Sequence, residues 1–371
     1  MQPQTGILTD QALHALVQAG GVACETPIEG RQYQPASLDV RLGRIAYRIR
    51  SSFVPGSRAV EDVLRDVAMY PIDLAQNGIL EKNQVYLAPL QESLNLPPDI
   101  AVRSNPKSST GRLDMLTRVI SDQSYRFDDV RAGYRGRLYL EIVPKSFTVR
   151  VAPGVSLNQL RFLRGDCLLA DAALREVYQR APLLYDASDA PIAAQDACIQ
   201  DGLLMSVDLR GENNQGIIGY KAKKNSDIVD LSKIGYYDAA DFWDPIYRHK
   251  GDDLFLEPEE FLILCSREKV RIPPEYSAEM VAYDIGAGEF RAHYAGFFDP
   301  GFGYGAGEIL GTHAVLEVRA HDVPYRVSHG QPFCKIQYAR NVAPPQAVYG
   351  AGIRSNYQRQ RLSLGKQFKH G

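Results

Sequence analysis

Apolar and polar residues alternate along short stretches of this chain: Gln84-Val85-Tyr86-Leu87-Ala88-Pro89-Leu90, Arg137-Leu138-Tyr139-Leu140-Glu141-Ile142-Val143 and Phe147-Thr148-Val149-Arg150-Val151. A period of two sends successive side chains to opposite faces, so each stretch predicts a strand with one face toward a core. Gly and Pro punctuate the stretches, as they do in compact barrels and jelly rolls. Helical spacing is rare. Thr9 to Ala19 carries Leu13, Leu16 and Val17 on one face behind the capping pair Thr9-Asp10, and Ala170 to Arg180 is rich in Ala and Leu. The pattern predicts a mainly β protein with a few short helices.

The pattern occurs twice. Leu96-Pro97-Pro98-Asp99 returns as Ile272-Pro273-Pro274-Glu275, Tyr139-Leu140-Glu141-Ile142-Val143 as Val315-Leu316-Glu317-Val318-Arg319, and the segment from Gly154 to Phe162 as Gly330 to Tyr338. All three pairs lie 176 residues apart (273 − 97, 317 − 141, 330 − 154). An earlier landmark, Ser37-Leu38-Asp39-Val40-Arg41, returns as Ser206-Val207-Asp208-Leu209-Arg210, 169 residues on (206 − 37), so the second copy holds about seven more residues before its next landmark. The expected organisation is a first repeat over 1–168, a helical connector and linker over 169–198, and a second repeat over 199–371 that ends in a tail.

Composition narrows the class. The chain has 371 residues, 45% of them hydrophobic, and 42 Lys+Arg against 44 Asp+Glu give a formal charge of −2. A near-neutral balance offers no field that would attract nucleic acid non-specifically. No apolar run approaches the ~18–20 residues that cross a bilayer, and the polar start Met1-Gln2-Pro3-Gln4-Thr5 is not that of a signal peptide. The expectation is a cytoplasmic protein without membrane or nucleic-acid partners. The five cysteines, Cys24, Cys167, Cys198, Cys265 and Cys334, are widely spaced among apolar or small residues. They are expected to be buried free thiols, and neither they nor the seven scattered His form a zinc pattern.

Two segments carry candidate chemistry. Arg103-Ser104-Asn105-Pro106-Lys107-Ser108-Ser109-Thr110-Gly111-Arg112 concentrates hydroxyls, guanidiniums and an ammonium, the donors a phosphate needs, although a solvated loop would use the same residues. Its counterpart in the second copy, Tyr283 to Glu289, lacks those charges and hydroxyls. The second segment, Ala292 to Gly307, is a Gly- and aromatic-rich hairpin that could read a flat base or simply fill a core. Glu317 follows it on an otherwise apolar strand, sharing a face with Val315 and Arg319, as Glu141 shares one with Tyr139 and Val143. A carboxylate there is either at a sheet edge or partly buried, and burial would suit a proton shuttle near neutral pH.

Lys107-Ser108-Ser109-Thr110-Gly111-Arg112, the run from His293 through Ala295-Gly296-Phe297-Phe298-Asp299-Pro300-Gly301, and Val315-Leu316-Glu317 together resemble the dCTP deaminases of the dUTPase-like superfamily. Gln34 to Gly43 resembles that family's N-terminal signature, and Tyr349 followed by Asn356-Tyr357-Gln358-Arg359-Gln360 its C-terminal segment. The resemblance spans nearly the whole chain, as two copies where ordinary members have one. It implies two tandem dUTPase-like distorted jelly-roll or β-barrel repeats. It further implies hydrolytic deamination of dCTP to dUTP and ammonia without zinc at the reacting carbon, in pyrimidine deoxyribonucleotide biosynthesis. Carried over residue by residue, the catalytic set is Glu317, Ser108 and Arg112, with Glu141 ranked behind Glu317. Lys107, Ser109, Gly111, Ala295, Asp299, Tyr349 and Gln360 would bind the nucleotide, with Mg²⁺ held mainly by its phosphates. Neither copy is complete, so the expectation is a composite site with phosphate chemistry from the first copy and base chemistry from the second. Departures from the family are Asn356 in place of Lys, Phe297, and longer hairpins after Asp122 and Asp299. A homo-oligomer, such as three chains presenting six copies, is implied as well. A bifunctional enzyme that also cleaves dUTP to dUMP and diphosphate, and a non-catalytic nucleotide-binding or scaffold protein, remain the alternatives.

Overall fold

The computed structural model describes residues 4–212, 214–282, 290–291, 295–320, 323–350, 352–353 and 357–369. The protein is mainly β, built from several small sheets with few and short helices. Contacts divide it into two units. One comprises 1–167 with the short segments 226–234 and 341–346, and the other 168–225, 235–340 and 347–371. The borrowed segments are tied in by backbone. Val229–Asp230 pairs in parallel with Val149–Arg150, and Val342 N–H donates to the Ile7 carbonyl at 2.9 Å.

Each unit contains the same two sheets. In the first unit one sheet runs in the order Ala68–Asp73, Ile45–Ile49, Val85–Asn95, Arg135–Pro144, Met115–Ser121. In the second unit the corresponding order is Trp243–Tyr247, Ile217–Ala222, Phe261–Val270, Thr312–Ala320, Phe290–Arg291. The other sheet centres on Ser156–Arg164 beside Ile100–Pro106 in the first unit, and on Pro332–Arg340 beside Tyr276–Ala282 in the second. Those strands begin 176 residues apart (332 − 156, 276 − 100), the offset already present in the sequence. Pro71 and Pro245 both fall on strands at the end of their sheets, where a missing N–H costs no ladder bond.

The core of the second unit joins its two sheets. Leu262, Leu264 and Leu316 from one meet Met205, Met280 and Ile336 from the other. The helix Asp171–Arg180 adds Leu174, Val177 and Tyr178 to that core, so it is packed into the second unit rather than free-standing. The helix Asp10–Gln18 likewise buries Leu13 and Leu16. The sequence pattern missed the helix Val60–Val67, which buries only Val60 and Leu64 and is otherwise polar. All five cysteines are free. Cys167, Cys265 and Cys334 are buried, Cys24 is half-buried, and Cys198 is exposed, so the expectation of a buried thiol fails at Cys198. It lies in a stretch with little regular structure, where no strand or helix face turns it inward. Among the described residues no helix is long and apolar enough to cross a membrane.

Candidate active site

The Ser-rich turn is built by its neighbours. The strand Ile100–Pro106 ends at Pro106, and Lys107 turns the chain into the four-residue helix Ser108–Gly111. Lys107 N–H and the Thr110 hydroxyl both donate to the Leu157 carbonyl, at 2.9 and 2.8 Å, which pins the turn to the adjoining strand. Thr110, Gly111 and Arg112 are buried, whereas Ser108 and Ser109 are half-exposed. The two serine hydroxyls engage no partner among the described residues.

The Ser37-Leu38-Asp39-Val40-Arg41 signature holds this turn in place. The Asp39 carboxylate pairs with the Lys107 ammonium. Ser37 donates to Gln159 Oε1 at 2.9 Å. Arg41 meets Glu92, fully buried on the strand Val85–Asn95: Arg41 Nε donates to Oε1 and Arg41 N–H to Oε2, both at 2.7 Å. Gln32 Nε2 adds a third donor to Glu92 at 2.9 Å. Glu268, 176 residues after Glu92 (268 − 92), repeats the device by accepting Ser206 N–H at 2.8 Å. Neither glutamate stood out in the sequence. Their common offset was the signal that could have found them.

The two strand glutamates differ in their surroundings. Glu141 is fully buried and lies opposite Arg118 in the antiparallel ladder. Arg118 Nε donates to its Oε1 at 2.9 Å, with a closer second contact from Nη2, and the guanidinium stacks 3.8 Å over the Phe127 ring. The negative charge of Glu141 is therefore already matched inside its own unit. Nearby, Thr117, Asn158 and Ser104 form a buried chain: Thr117 Oγ1 to Asn158 Oδ1 at 2.5 Å and Asn158 Nδ2 to Ser104 at 3.0 Å. The chain ends on the Asp128 carboxyl, which also accepts Val119 N–H at 2.8 Å. Asp128 is only half-buried as a residue, but its carboxyl faces this interior, and burial pushes its pKa up to about 7.

That shift has a signed consequence. The folded protein holds the Asp128 proton up to about pH 7, while the unfolded chain releases it in the ordinary carboxylate range. Stability is expected to fall as pH rises between those values and to level off above about 7. Asp128→Asn should remove that part of the slope, read as thermal midpoints from pH 5 to 8. Identical slopes in the two proteins would refute it.

In the second unit Glu317 is buried on the strand Thr312–Ala320, opposite Ile263. Ala295 N–H donates to its Oε2 at 2.9 Å, so two of the residues singled out in sequence meet directly. After Ala295 the short strand Phe297–Phe298 pairs with Ala278 and Glu279, and the chain turns at half-buried Asp299. Gly303 is required in this turn. Its φ is +63°, and a Cβ would sit 2.1 Å from the Val270 carbonyl oxygen.

The tail closes on the same turn. Tyr349 N–H donates to the Pro300 carbonyl at 2.8 Å. Gln358 grips the turn from both ends: its Nε2 donates to the Gly301 carbonyl at 2.9 Å and its Oε1 accepts Gly303 N–H at 3.0 Å. Gln360 Nε2 donates to the His313 carbonyl at 3.0 Å. Gln358 is a residue the sequence reading passed over beside Gln360. Gln358→Ala is expected to raise KM for the nucleotide several-fold and to move kcat less, because it loosens the tail without touching Glu317. An unchanged KM would show that the tail does not depend on it. Residues 283–289, 292–294 and 354–356 lie outside the described residues, including His293, Asn356 and the second copy's counterpart of the Ser-rich turn. Among the described residues no group of three His, Cys, Asp or Glu side chains could hold a metal ion.

Comparison with known proteins matches both halves. Residues 4–166 match the family 2′-deoxycytidine 5′-triphosphate deaminase (DCD) N-terminal domain, and residues 170–368 match its C-terminal domain. A dCTP deaminase, dUMP-forming, from Beutenbergia cavernae is 29% identical over 159 residues, 43% of this chain and 79% of that protein. A dCTP deaminase from Ignicoccus hospitalis is 27% identical over 187 residues, 47% of this chain and 92% of that protein. The crystal structure of 2′-deoxycytidine 5′-triphosphate deaminase from Agrobacterium tumefaciens is similar with a TM-score of 0.87 at 43% identity, covering 95% of this chain and all of that one.

Proposed function

The chain belongs to the 2′-deoxycytidine 5′-triphosphate deaminase family, and on that premise we propose how its residues deaminate dCTP. The enzyme acts on dCTP, and the reaction consumes water and releases ammonia. In our reading Glu317 is the general base. It takes a proton from water, the water oxygen bonds to C4 of cytosine, and the same proton passes to the departing amino group as the C4–N bond breaks. Ala295 N–H holds one carboxylate oxygen of Glu317 in place, which orients the base. Ser108 and Arg112 hold the water and the charge that develops on the ring, as oxyanion-type donors do. Lys107, Ser109 and Gly111 serve the phosphates, while Ala295, Asp299, Tyr349 and Gln360 serve the rest of the nucleotide. Mg²⁺ travels with the triphosphate and supplies charge neutralisation there. The donor set of the described residues suits that role, since it offers no carboxylate cage of its own.

The observation that carries the choice of base is the contrast between the two strand glutamates. Glu141 is clamped by Arg118, whereas Glu317 is presented at the hairpin by a backbone N–H. The finer architecture, two tandem dUTPase-like jelly rolls over 1–168 and 199–371 with a connector over 169–198, is part of the same proposal. So are the homo-oligomer, the trimer of chains and the cytoplasmic location.

A second reading has its own support, because several relatives carry the name "dCTP deaminase, dUMP-forming". In that reading the chain also cleaves dUTP to dUMP and diphosphate. Ammonia and diphosphate measured together from dCTP separate the two. Equal release marks the bifunctional enzyme, ammonia alone marks a product of dUTP, and neither would overturn deamination by this chain.

A further inference from the structure

The second unit holds a cavity of about 310 Å³ on the far side of the tail residues, within the range of small-molecule sites. Lys269, Arg359 and Arg361 line it, with the carboxylates of Asp189 and Glu308 and the amide of Gln360. Three cationic side chains thus face two acidic ones. Lys269 is largely buried and points its ammonium at Asp189. Arg359 lies 3.7 Å from Glu308. Both carboxylates are more than half exposed, and exposed pairs of this kind hold one another weakly.

The cavity is separate from the carboxylate assigned to the chemistry. His313, on its wall, and Glu317 stand four positions apart on one strand, about 13 Å at roughly 3.3 Å per residue. Its cations belong to none of the motifs that carry the proposed reaction. Arg359 and Gln360 nevertheless join it to the tail, since Arg359 N–H donates to Thr312 Oγ1 at 3.3 Å and Gln360 to the His313 carbonyl.

We propose that this cavity binds a phosphate-bearing anion, which displaces the Asp189 and Glu308 carboxylates from Lys269 and Arg359 and takes Arg361 as a third donor. Phosphate matches the lining better than a monocarboxylate does. It offers several acceptor oxygens to two guanidiniums and an ammonium, where the resident carboxylates offer two each. The anion comes either as free phosphate or as the polyphosphate end of a nucleotide. An occupant would clamp Arg359 and Gln360, and through them the tail, so the site is placed to regulate tail closure.

The test is calorimetric titration of the full chain with inorganic phosphate and, separately, with inorganic tripolyphosphate, neither of which is turned over. At least one anion should bind, and the tighter of the two identifies the source. Arg361→Ala should weaken that binding about tenfold or more, the scale of one charge-assisted contact. Asp189→Asn and Glu308→Gln should each tighten it several-fold, because they remove the competing carboxylate. These two side chains are exposed, so the variants keep the fold, and a merely structural role for the pairs would not produce tighter binding. Arg112→Ala should leave it unchanged. Absence of binding, binding indifferent to Arg361→Ala and Asp189→Asn, or binding lost in Arg112→Ala would overturn the proposal. None of these readouts depends on Glu317, so failure here is distinguishable from failure of the proposed reaction.

Discussion

Glu317→Gln is expected to lower dCTP deamination by roughly two to four orders of magnitude, the usual contribution of a positioned general base. The amide keeps the shape of the side chain and can still accept Ala295 N–H through its carbonyl oxygen, so the fold should survive. What it cannot do is take a proton from water. The loss should therefore fall on kcat rather than on nucleotide binding. Glu141→Gln provides the control. Glu141 is paired with Arg118 in its own unit, and its removal should disturb stability while leaving turnover within a few-fold of the parent. The opposite result, with Glu141→Gln inactive and Glu317→Gln active, would reverse the assignment. Steady-state ammonia release measures both, and binding of dCTP to the inactive variant confirms that its site is formed.

Arg41→Ala is expected to be among the most destabilising single changes in the first unit. It leaves Glu92 fully buried with its countercharge removed, and breaking a buried pair in this way costs about 3–5 kcal/mol. Arg41 also donates to the Thr26 carbonyl at 2.9 Å and the Pro27 carbonyl at 3.2 Å, so the segment before the signature should loosen too. Replacing both partners, Arg41→Met with Glu92→Leu, should recover most of the loss, because no charge is then stranded. Thermal unfolding of the three proteins tests this. A single substitution that shifts the midpoint no further than a surface change would show that Glu92 finds another partner. Activity is expected to fall with stability in Arg41→Ala, since Asp39, two residues before Arg41, anchors Lys107 at the Ser-rich turn.

Much of the fold was legible from periodicity. The alternation at Arg137 to Val143 is a strand over Arg135–Pro144, and the alternation at Gln84 to Leu90 is one over Val85–Asn95. The run at Phe147 to Val151 survives only as Val149–Arg150, because a short edge pairing is all its neighbours allow. Helices of four residues, such as Ser108–Gly111, have too few turns to show a period and were not legible. The candidate site was legible as residue types: a Ser- and Arg-bearing turn, a hairpin with Asp-Pro-Gly, and a carboxylate on an apolar strand. Their partners were not. Gln358 as the clamp of the turn and Asp128 as the end of a buried polar chain emerge only from contacts.

The sequence by itself determined the duplication, since one constant offset survives in both copies, and it determined the β character, since a period of two is written in each residue's own polarity. It also placed a glutamate at the same position on a strand in both copies. Only the tertiary structure decided what each glutamate faces. Glu141 meets Arg118 at a sequence separation of 23, Lys107 meets Asp39 at 68, and Arg41 meets Glu92 at 51. Separations like these follow from strand order and register, which bring distant residues side by side across a ladder. No local pattern encodes them, and yet they determine which carboxylate is neutralised and which is left for chemistry.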